Sequence, residues 1–510
     1  MLTTTSDMIL PTAITGSYPR PLWFDASLQG RSFKTMLGDS LFREQYLDAV
    51  AAVINAQEAA GLDIVTDGDS RFDLAVGGKS WFFYPIERLG GVTGHRDTSR
   101  GWMQRHGLKP GKILWEVQEA YQPGVVTEKL SRGPLEYAAI WQIAQRLSDR
   151  PVKFGAICAP ALASMLWDEH YHDDKALVLD LCDIMNAEFK ELAAAGCPVI
   201  QVEEPRHHGL TTLPQCTDKD LEFQTEAFNR QLAGVEAEIW VHTCWGNPNQ
   251  QRVYWEVPSY ERALPHLLQL NADVITFECA SSDGKDLALF GKYKTDKKIG
   301  IGVVSHCNTI VEPAEHVANL IRRALEYIPP EQLVVTTDCG FGREGLSRRI
   351  AYYKCVALVE GTNIVRRELG LPEAHVPPPT RGCTLRQPIR DDRTRWGRSW
   401  AFWCGRAAPN SRWVRLRARR RDHLFGLLFP LFLRRLVGRQ PVSWGTGAAL
   451  RRHHRLYRAR AGDDVVCGVL PDLTRAVHFP FKASARRKSA APSARSPCIG
   501  GIRCAFPPYG

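Results

Sequence analysis

The side chains best equipped for chemistry are His242 and Cys244, in His242-Thr243-Cys244, and Cys339, in Asp338-Cys339-Gly340. Imidazole nitrogen and thiolate sulfur are the donors that a borderline-soft zinc ion prefers. Each motif directly follows a strand-forming run. Alternate residues of a strand share a face, so residues 242 and 244 point the same way, and Cys339 must reach them from elsewhere in the fold. Three protein donors with a fourth place open is the arrangement of a catalytic zinc rather than a structural one. Two anionic sulfurs weaken the ion as an activator of water, yet leave a thiol beside them deprotonated and electron-rich. The predicted cofactor is Zn2+ and the predicted chemistry is alkyl transfer to a thiol.

Such a site needs elements that bring distant residues together, and residues 1–380 supply a strand–helix alternation. Strands are predicted at 13–17, 62–66, 152–158, 198–202, 238–242, 273–277, 299–304 and 333–337. Helices are predicted over 43–60 and 175–195, near 260–270 and 313–327, and over 345–369. In the first helix Tyr46, Leu47, Val50, Val53 and Ile54 follow the spacing of one apolar face. Gly61 closes that helix and Gly196 caps the next. Eight strands alternating with helices imply a parallel sheet, and closed on itself that sheet is a (β/α)8 TIM barrel. An open doubly wound sheet is the competing architecture. No Gly-x-Gly-x-x-Gly follows the first strand, so a dinucleotide fold has no support.

In a parallel barrel the C-terminal strand ends meet at one face, where active sites form. Ser17 ends the first strand, Asp67 and Asp69 the second, Glu203 and Glu204 the fourth, His242 and Cys244 the fifth, Glu278 the sixth and Cys339 the eighth; His306 follows the seventh. Glu278 is placed to be a fourth donor in the resting state, released when substrate arrives. Cys279 and Cys307 directly follow Glu278 and His306 and are expected to face the other way.

The net charge of +10 hides an asymmetry. Residues 381–510 carry 28 Lys+Arg against 6 Asp+Glu, which leaves 37 against 49, a net of −12, in residues 1–380. An acidic body argues against a nucleic-acid surface there. Met1–Pro11 has no basic n-region and no apolar stretch, so no secretory signal is expected. The 14 cysteines show no framework spacing, and free thiols in a cytoplasmic protein are the expectation. The longest apolar run, Leu424–Leu433, is interrupted by Gly426 and Pro430 and falls well short of a membrane span.

Two domains are expected: a barrel over residues 1–375 and an Arg-rich tail over 376–510. The tail has poor apolar periodicity and reads as low-order or non-native sequence, such as an out-of-frame translation of GC-rich DNA. A basic arm for nucleic acid or an anionic membrane is its functional alternative. Asp69–Leu130 is a long insertion containing Trp81-Phe82-Phe83-Tyr84, either a lid or a surface hairpin packed by its own aromatics.

Six motifs occur in one order: Gly16-Ser17-Tyr18-Pro19, Thr66-Asp67-Gly68-Asp69, Gln201-Val202-Glu203-Glu204-Pro205, His242-Thr243-Cys244, Asp273-Val274-Ile275-Thr276-Phe277-Glu278 and Asp338-Cys339-Gly340. On them, residues 10–370 resemble the catalytic C-terminal barrel of cobalamin-independent methionine synthase, a zinc enzyme that methylates homocysteine. The resemblance implies zinc held by His242, Cys244, Glu278 and Cys339. It implies that Ser17, Asp69 and Glu203 hold the amino-acid part of homocysteine and that His306 is the catalytic histidine assisting methyl transfer. The family pattern has Glu at the position of Asp69 and Asp at that of Glu203, and His-Ser-Pro where this chain has His306-Cys307-Asn308. The second, N-terminal barrel of the long enzyme, which helps to bind folate, is not expected here. The same barrel serves the epoxyalkane:coenzyme M transferases, which open an epoxide with the thiol of coenzyme M. Arg20, Arg71 and Arg206 are placed either to bind that sulfonate or to pair with neighbouring carboxylates. Homocysteine is the expected acceptor because two carboxylates, Asp69 and Glu203, await its ammonium. The donor is a methyl-folate or a methylcorrinoid protein, or an epoxide in the alternative. A non-catalytic binding protein, with the basic tail on nucleic acid, is the remaining reading.

Overall fold

The computed structural model describes residues 4–21, 23–24, 32–71, 80–95, 123–246, 257–342 and 346–376. Their strands are β1 (Val65–Thr66), β2 (Gly90–His95), β3 (Gly124–Ser131), β4 (Val152–Ile157), β5 (Leu166–Asp168), β6 (Val199–Glu203), β7 (Glu238–Thr243), β8 (Val274–Phe277), β9 (Lys298–Val304) and β10 (Leu333–Thr337). Seven of them form one parallel sheet in the order β1-β4-β6-β7-β8-β9-β10. Its two edges are joined by the chain near the N-terminus: Thr12 bridges Val335 on one side and Ala13 bridges Ile64 on the other, both in parallel. Residues 12–13 are therefore the eighth stave of the expected (β/α)8 TIM barrel.

That stave is shorter than the predicted strand 13–17. Beyond Ala13 a side chain replaces the backbone ladder. Thr15 N–H donates to Thr337 Oγ1 (3.0 Å) and Thr15 Oγ1 donates to the Thr337 carbonyl (2.8 Å). Gly16, at φ +63°, then turns the chain away.

Four predicted helices form, as Ser40–Ala59, Asp174–Ala194, Ala314–Leu325 and Arg348–Glu368. Asp39, Asp173 and Ser347 cap three of their N-termini by accepting backbone N–H bonds. Gly61 and Gly196 end the first two in the left-handed conformation foreseen, at φ +89° and +97°. The helix predicted near 260–270 shrinks to Leu264–Leu267. A continuous helix there would need Pro265 to donate an N–H it lacks.

The strands divide the core in two. Ala13, Ile64, Val199, Trp240, Val274 and Val334 form a small cluster of their own. Their neighbours Ile200, Val202, Ile239, Val241, Ile275 and Val335 belong to the large core that also contains the helices. This is strand alternation in a closed barrel: one parity fills the bore and the other meets the helices. Gln201 and Glu203 share the parity of Val199, and His242 that of Trp240, so all three face the bore.

At the start of the strands, Glu238 accepts from the N–H groups of Thr4 and Thr5 (both 2.8 Å) and from Trp240 Nε1 (2.7 Å), so that the first residues seal that end. The insertion after β1 pairs β2 antiparallel to β3, with β5 on the outer side of β3. Phe83 and Tyr84 from its helix are buried in the main core. The side chains of Trp81 and Phe82, and residues 96–122, lie outside the described residues, as do residues 377–510, which make up nearly all of the expected tail. Among the described residues no helix is long and apolar enough to cross a membrane.

Candidate active site

The donor atoms of His242, Cys244 and Cys339 lie within 4.8 Å of one another. Cys244 Sγ and Cys339 Sγ are 3.3 Å apart, although 95 residues separate them in sequence. Neither is in a disulfide. The separation is far longer than a disulfide at ~2.05 Å. Zinc–sulfur bonds of ~2.3 Å in a tetrahedron place two sulfurs ~3.8 Å apart, so a shift of about half an ångström admits the ion.

His242 is prepared as a donor. Its Nδ1 is 2.8 Å from Thr276 Oγ1, whose own proton goes to the Val241 carbonyl (3.4 Å). The hydroxyl therefore accepts from Nδ1–H and leaves Nε2 as a bare lone pair. That Nε2 is buried and makes no hydrogen bond among the described residues. Burial, with Lys153, His306 and His208 nearby, holds the His242 pKa well below the usual range, so the imidazole stays neutral as a metal requires. The register explains the contact: His242 on β7 stands opposite Glu203 on β6 and Thr276 on β8.

Glu278 lies outside this trio. Its carboxylate groups within 4.8 Å with His306 and Cys307. Oε2 accepts from Trp245 N–H (2.9 Å), whereas Oε1 is buried and makes no hydrogen bond among the described residues. Two buried ligand atoms without a hydrogen bond among the described residues, His242 Nε2 and Glu278 Oε1, together with the close pair of thiols are what a soft divalent cation would satisfy, and the residues present fit zinc. Asp338 ties the two groups together. It accepts from the N–H groups of Cys279, Ala280 and Ser281 (2.7–2.8 Å), fixing the turn after Glu278 from the residue before Cys339. Burial and the Glu278 charge push Asp338 up to about 7.

Cys307 corrects an expectation. It does not face away from His306: its Sγ is 3.5 Å from His306 Nε2. β9 ends at Val304, and beyond it alternation no longer governs direction; the Cys307 N–H donates instead to Ser305 Oγ (3.1 Å). Cys279, by contrast, joins the outer core as expected. Burial opposes protonation of His306, but Cys307, Cys339 and Glu278 outweigh it and raise its pKa well above the usual range. A cation on Cys339 and Glu278 would remove part of that pull.

The residues expected around the amino acid also converge. The Ser17 carbonyl accepts from Phe341 N–H (2.7 Å) and Gly342 N–H (3.1 Å), just past Cys339. The N–H of Tyr18 donates to the Gly68 carbonyl (3.0 Å), which joins Ser17 to the turn carrying Asp69. Asp69 is itself left-handed, at φ +52°, and its N–H donates to Asp67 Oδ1 (2.9 Å). Glu203 Oε2 is 3.7 Å from His242 Nε2. Ser17, Asp69 and Glu203 are all buried. Of the arginines weighed for a sulfonate, Arg71 contacts Asp69 (3.4 Å), donates to the Gly155 carbonyl and lies over the Phe154 ring, and Arg20 donates to the Arg71 carbonyl (2.9 Å).

Sequence reasoning missed Thr276, His208, Lys153 and Gln201. His208 Nε2 lies 2.7 Å from the Cys244 carbonyl, and burial lowers its pKa to about 4, so the neutral ring donates there and holds the turn after β7. Lys153 and Gln201 carried a signal, a polar residue inside an apolar strand run, which marks the bore face.

Fold and donor set together define a (β/α)8 barrel with a candidate metal centre at the C-terminal ends of its strands. Residues 10–356 match the family model described as the catalytic domain of cobalamin-independent synthase. The chain is 34% identical over 362 residues to a methionine synthase of Saccharolobus solfataricus, covering 71% of this chain and 96% of that one. It is 33% identical over 364 residues to a methionine synthase of Sulfurisphaera tokodaii, covering 71% and 94%. A solved B12-independent methionine synthase from Shewanella sp. W3-18-1, in complex with selenomethionine, superposes with a TM-score of 0.58 at 26% identity, over 71% of this chain and 99% of that one. The chain belongs to the cobalamin-independent methionine synthase family and comprises its catalytic domain.

Proposed function

We propose that this protein is a zinc-dependent methyltransferase that moves a methyl group to the thiol of homocysteine and forms methionine. The observation that carries the reading is the meeting of a His242 ring nitrogen, Cys244 Sγ and Cys339 Sγ within 4.8 Å, from strands far apart in the chain. His242, Cys244 and Cys339 would hold the ion, with Glu278 as a displaceable fourth donor. When bound, the metal supplies a soft cation that keeps a substrate thiol deprotonated at neutral pH.

The chain's own residues do the rest. Asp69 and Glu203 hold the substrate ammonium, and Ser17 orients the amino-acid end from beside the Cys339 loop. The substrate sulfur attacks the methyl carbon; the sulfur–carbon bond forms as the methyl–donor bond breaks, and the electron pair leaves with the donor atom. With a methyl-folate, His306, whose neighbours favour its protonated form, delivers a proton to the leaving nitrogen; a corrinoid cobalt leaves with the electron pair and needs none. A methyl-folate or a methylcorrinoid protein is the donor. The coenzyme M alternative loses two of its three arginines, because Arg71 is already engaged with Asp69 and the Gly155 carbonyl and Arg20 with Arg71. The cytoplasm is the proposed compartment, where a free thiol pair stays reduced. Residues 376–510 take no part in this reading and are proposed to be a tail outside the catalytic domain.

The test is metal analysis of the purified chain with calorimetry of thiol binding, comparing wild type with Cys339→Ser. The wild type is expected to retain zinc and release a proton on binding homocysteine, and Cys339→Ser to lose both. Proton release by coenzyme M and none by homocysteine would transfer the assignment to epoxide opening. A wild type without metal affinity would refute it.

A further inference from the structure

We infer that Lys153 and Gln201 are positioning residues for the substrate's ammonium: Lys153 sets the direction of the Gln201 amide, and that amide holds the Glu203 carboxylate in place. The inference rests on the proposed role of Glu203 in holding an amino group.

Lys153 lies on β4, and Gln201 and Glu203 lie on β6, all in the bore of the barrel. The register places Lys153 opposite Val199, two residues before Gln201. Lys153 is fully buried, with its Nζ 4.4 Å above the Trp240 ring. It donates to the Ile14 carbonyl (2.7 Å) and to Gln201 Oε1. Lys153 is the donor in both bonds: an ammonium has hydrogens and no acceptor, so the amide that meets it presents its oxygen.

The NH2 of Gln201 must then point the other way. It donates to Glu203 Oε1 at 2.6 Å, a short bond to a carboxylate. The other oxygen of Glu203 is the one near His242 Nε2, at 3.7 Å. One oxygen of the carboxylate is thus held from deeper in the bore, with its second oxygen beside the candidate ligand His242. Burial lowers Lys153 to about 7, while Glu203, Asp69 and Glu238 raise it. Its amine stands among the very carboxylates proposed to receive the substrate. Gly155, between Lys153 and Ile157, leaves space for the second of these; a Cβ there would come within 2.9 Å of Asp69 Oδ1.

A purely structural role would make the same hydrogen bonds, so the experiment compares two thiols. The full chain is assayed for methyl transfer to homocysteine and to 4-sulfanylbutanoate, the same thiol acid without the amino group. In Gln201→Met the donor to Glu203 is gone. KM for homocysteine is expected to rise about 10- to 100-fold, the worth of a charge-assisted hydrogen bond, with a smaller change in kcat. KM for the desamino thiol is expected to change less than about 3-fold. Lys153→Met frees the amide to turn and is expected to shift homocysteine selectively in the same direction; it carries the test if Gln201→Met is not recovered folded. Equal losses on the two thiols, or no change on either, would overturn the inference while wild-type activity on homocysteine leaves the proposed function standing. A wild type inactive on homocysteine would refute the proposed function itself, and the inference with it.

Discussion

Thr276→Val tests the centre without touching a proposed ligand. Valine keeps the shape of threonine and removes only the hydroxyl that accepts from His242 Nδ1–H at 2.8 Å. Both residues are about 1% exposed, so water does not replace the lost partner. A buried N–H left unsatisfied costs ~1–3 kcal/mol. The ring can avoid that cost only by carrying its proton on Nε2, the very atom that must be bare to bind a metal. Either way the deficit falls on the metal-binding form, and ~1–3 kcal/mol corresponds to a zinc affinity ~5- to 150-fold weaker. That range brackets the ~10- to 100-fold typical of losing a hydrogen-bond partner behind a metal-bound histidine. The assay is competition for zinc against a chromogenic chelator, with the melting temperature of the metal-free protein as a check that the barrel is intact. A folded Thr276→Val that binds zinc as tightly as wild type would refute the reasoning, because Nε2 could then not be a ligand held in that tautomer.

Gly340→Ala should disturb the same centre from the other side. A Cβ at residue 340 would stand 2.4 Å from the Ser17 backbone nitrogen, forcing apart the two segments that carry Ser17 and Cys339. A loss of ~1–3 kcal/mol in stability with reduced zinc occupancy is expected; unchanged unfolding and metal content would contradict the packing. Lys153 should make stability depend on pH. Burial lowers its pKa from the usual ~10.5 to about 7, so between these values the unfolded chain holds a proton that the folded chain lacks. Stability should fall as pH drops from ~10.5 to about 7, and Lys153→Met should flatten that slope in urea unfolding; parallel slopes would show that the folded lysine titrates normally. Deleting residues 381–510 should leave zinc content and methyl transfer unchanged, and loss of both would assign the tail a role in the catalytic domain.

Much of the barrel was legible because parallel strands buried on both sides read as apolar runs, and those at 152–157, 238–243, 298–304 and 333–337 stand within a residue or so of expectation. The first stave was less so, since Thr15 replaces ladder bonds with side-chain bonds to Thr337, a partner 322 residues away. Cys307 was misjudged because a period of two holds only inside a strand. Gln201 was overlooked because nothing local says that an amide will be turned by a lysine 48 residues earlier.

The order of residue types along the chain determined which groups were available: an imidazole and two thiols at strand ends, carboxylates at others, and an alternation that requires parallel staves. Their meeting was decided in three dimensions. Closure through residues 12–13 curls the sheet until β7 and β10 present Cys244 and Cys339 to each other at 3.3 Å. Register between neighbouring strands sets Thr276 behind His242, and Lys153 with Gln201 behind Glu203. Such distances depend on register between strands, and register is a property of the packed barrel as a whole.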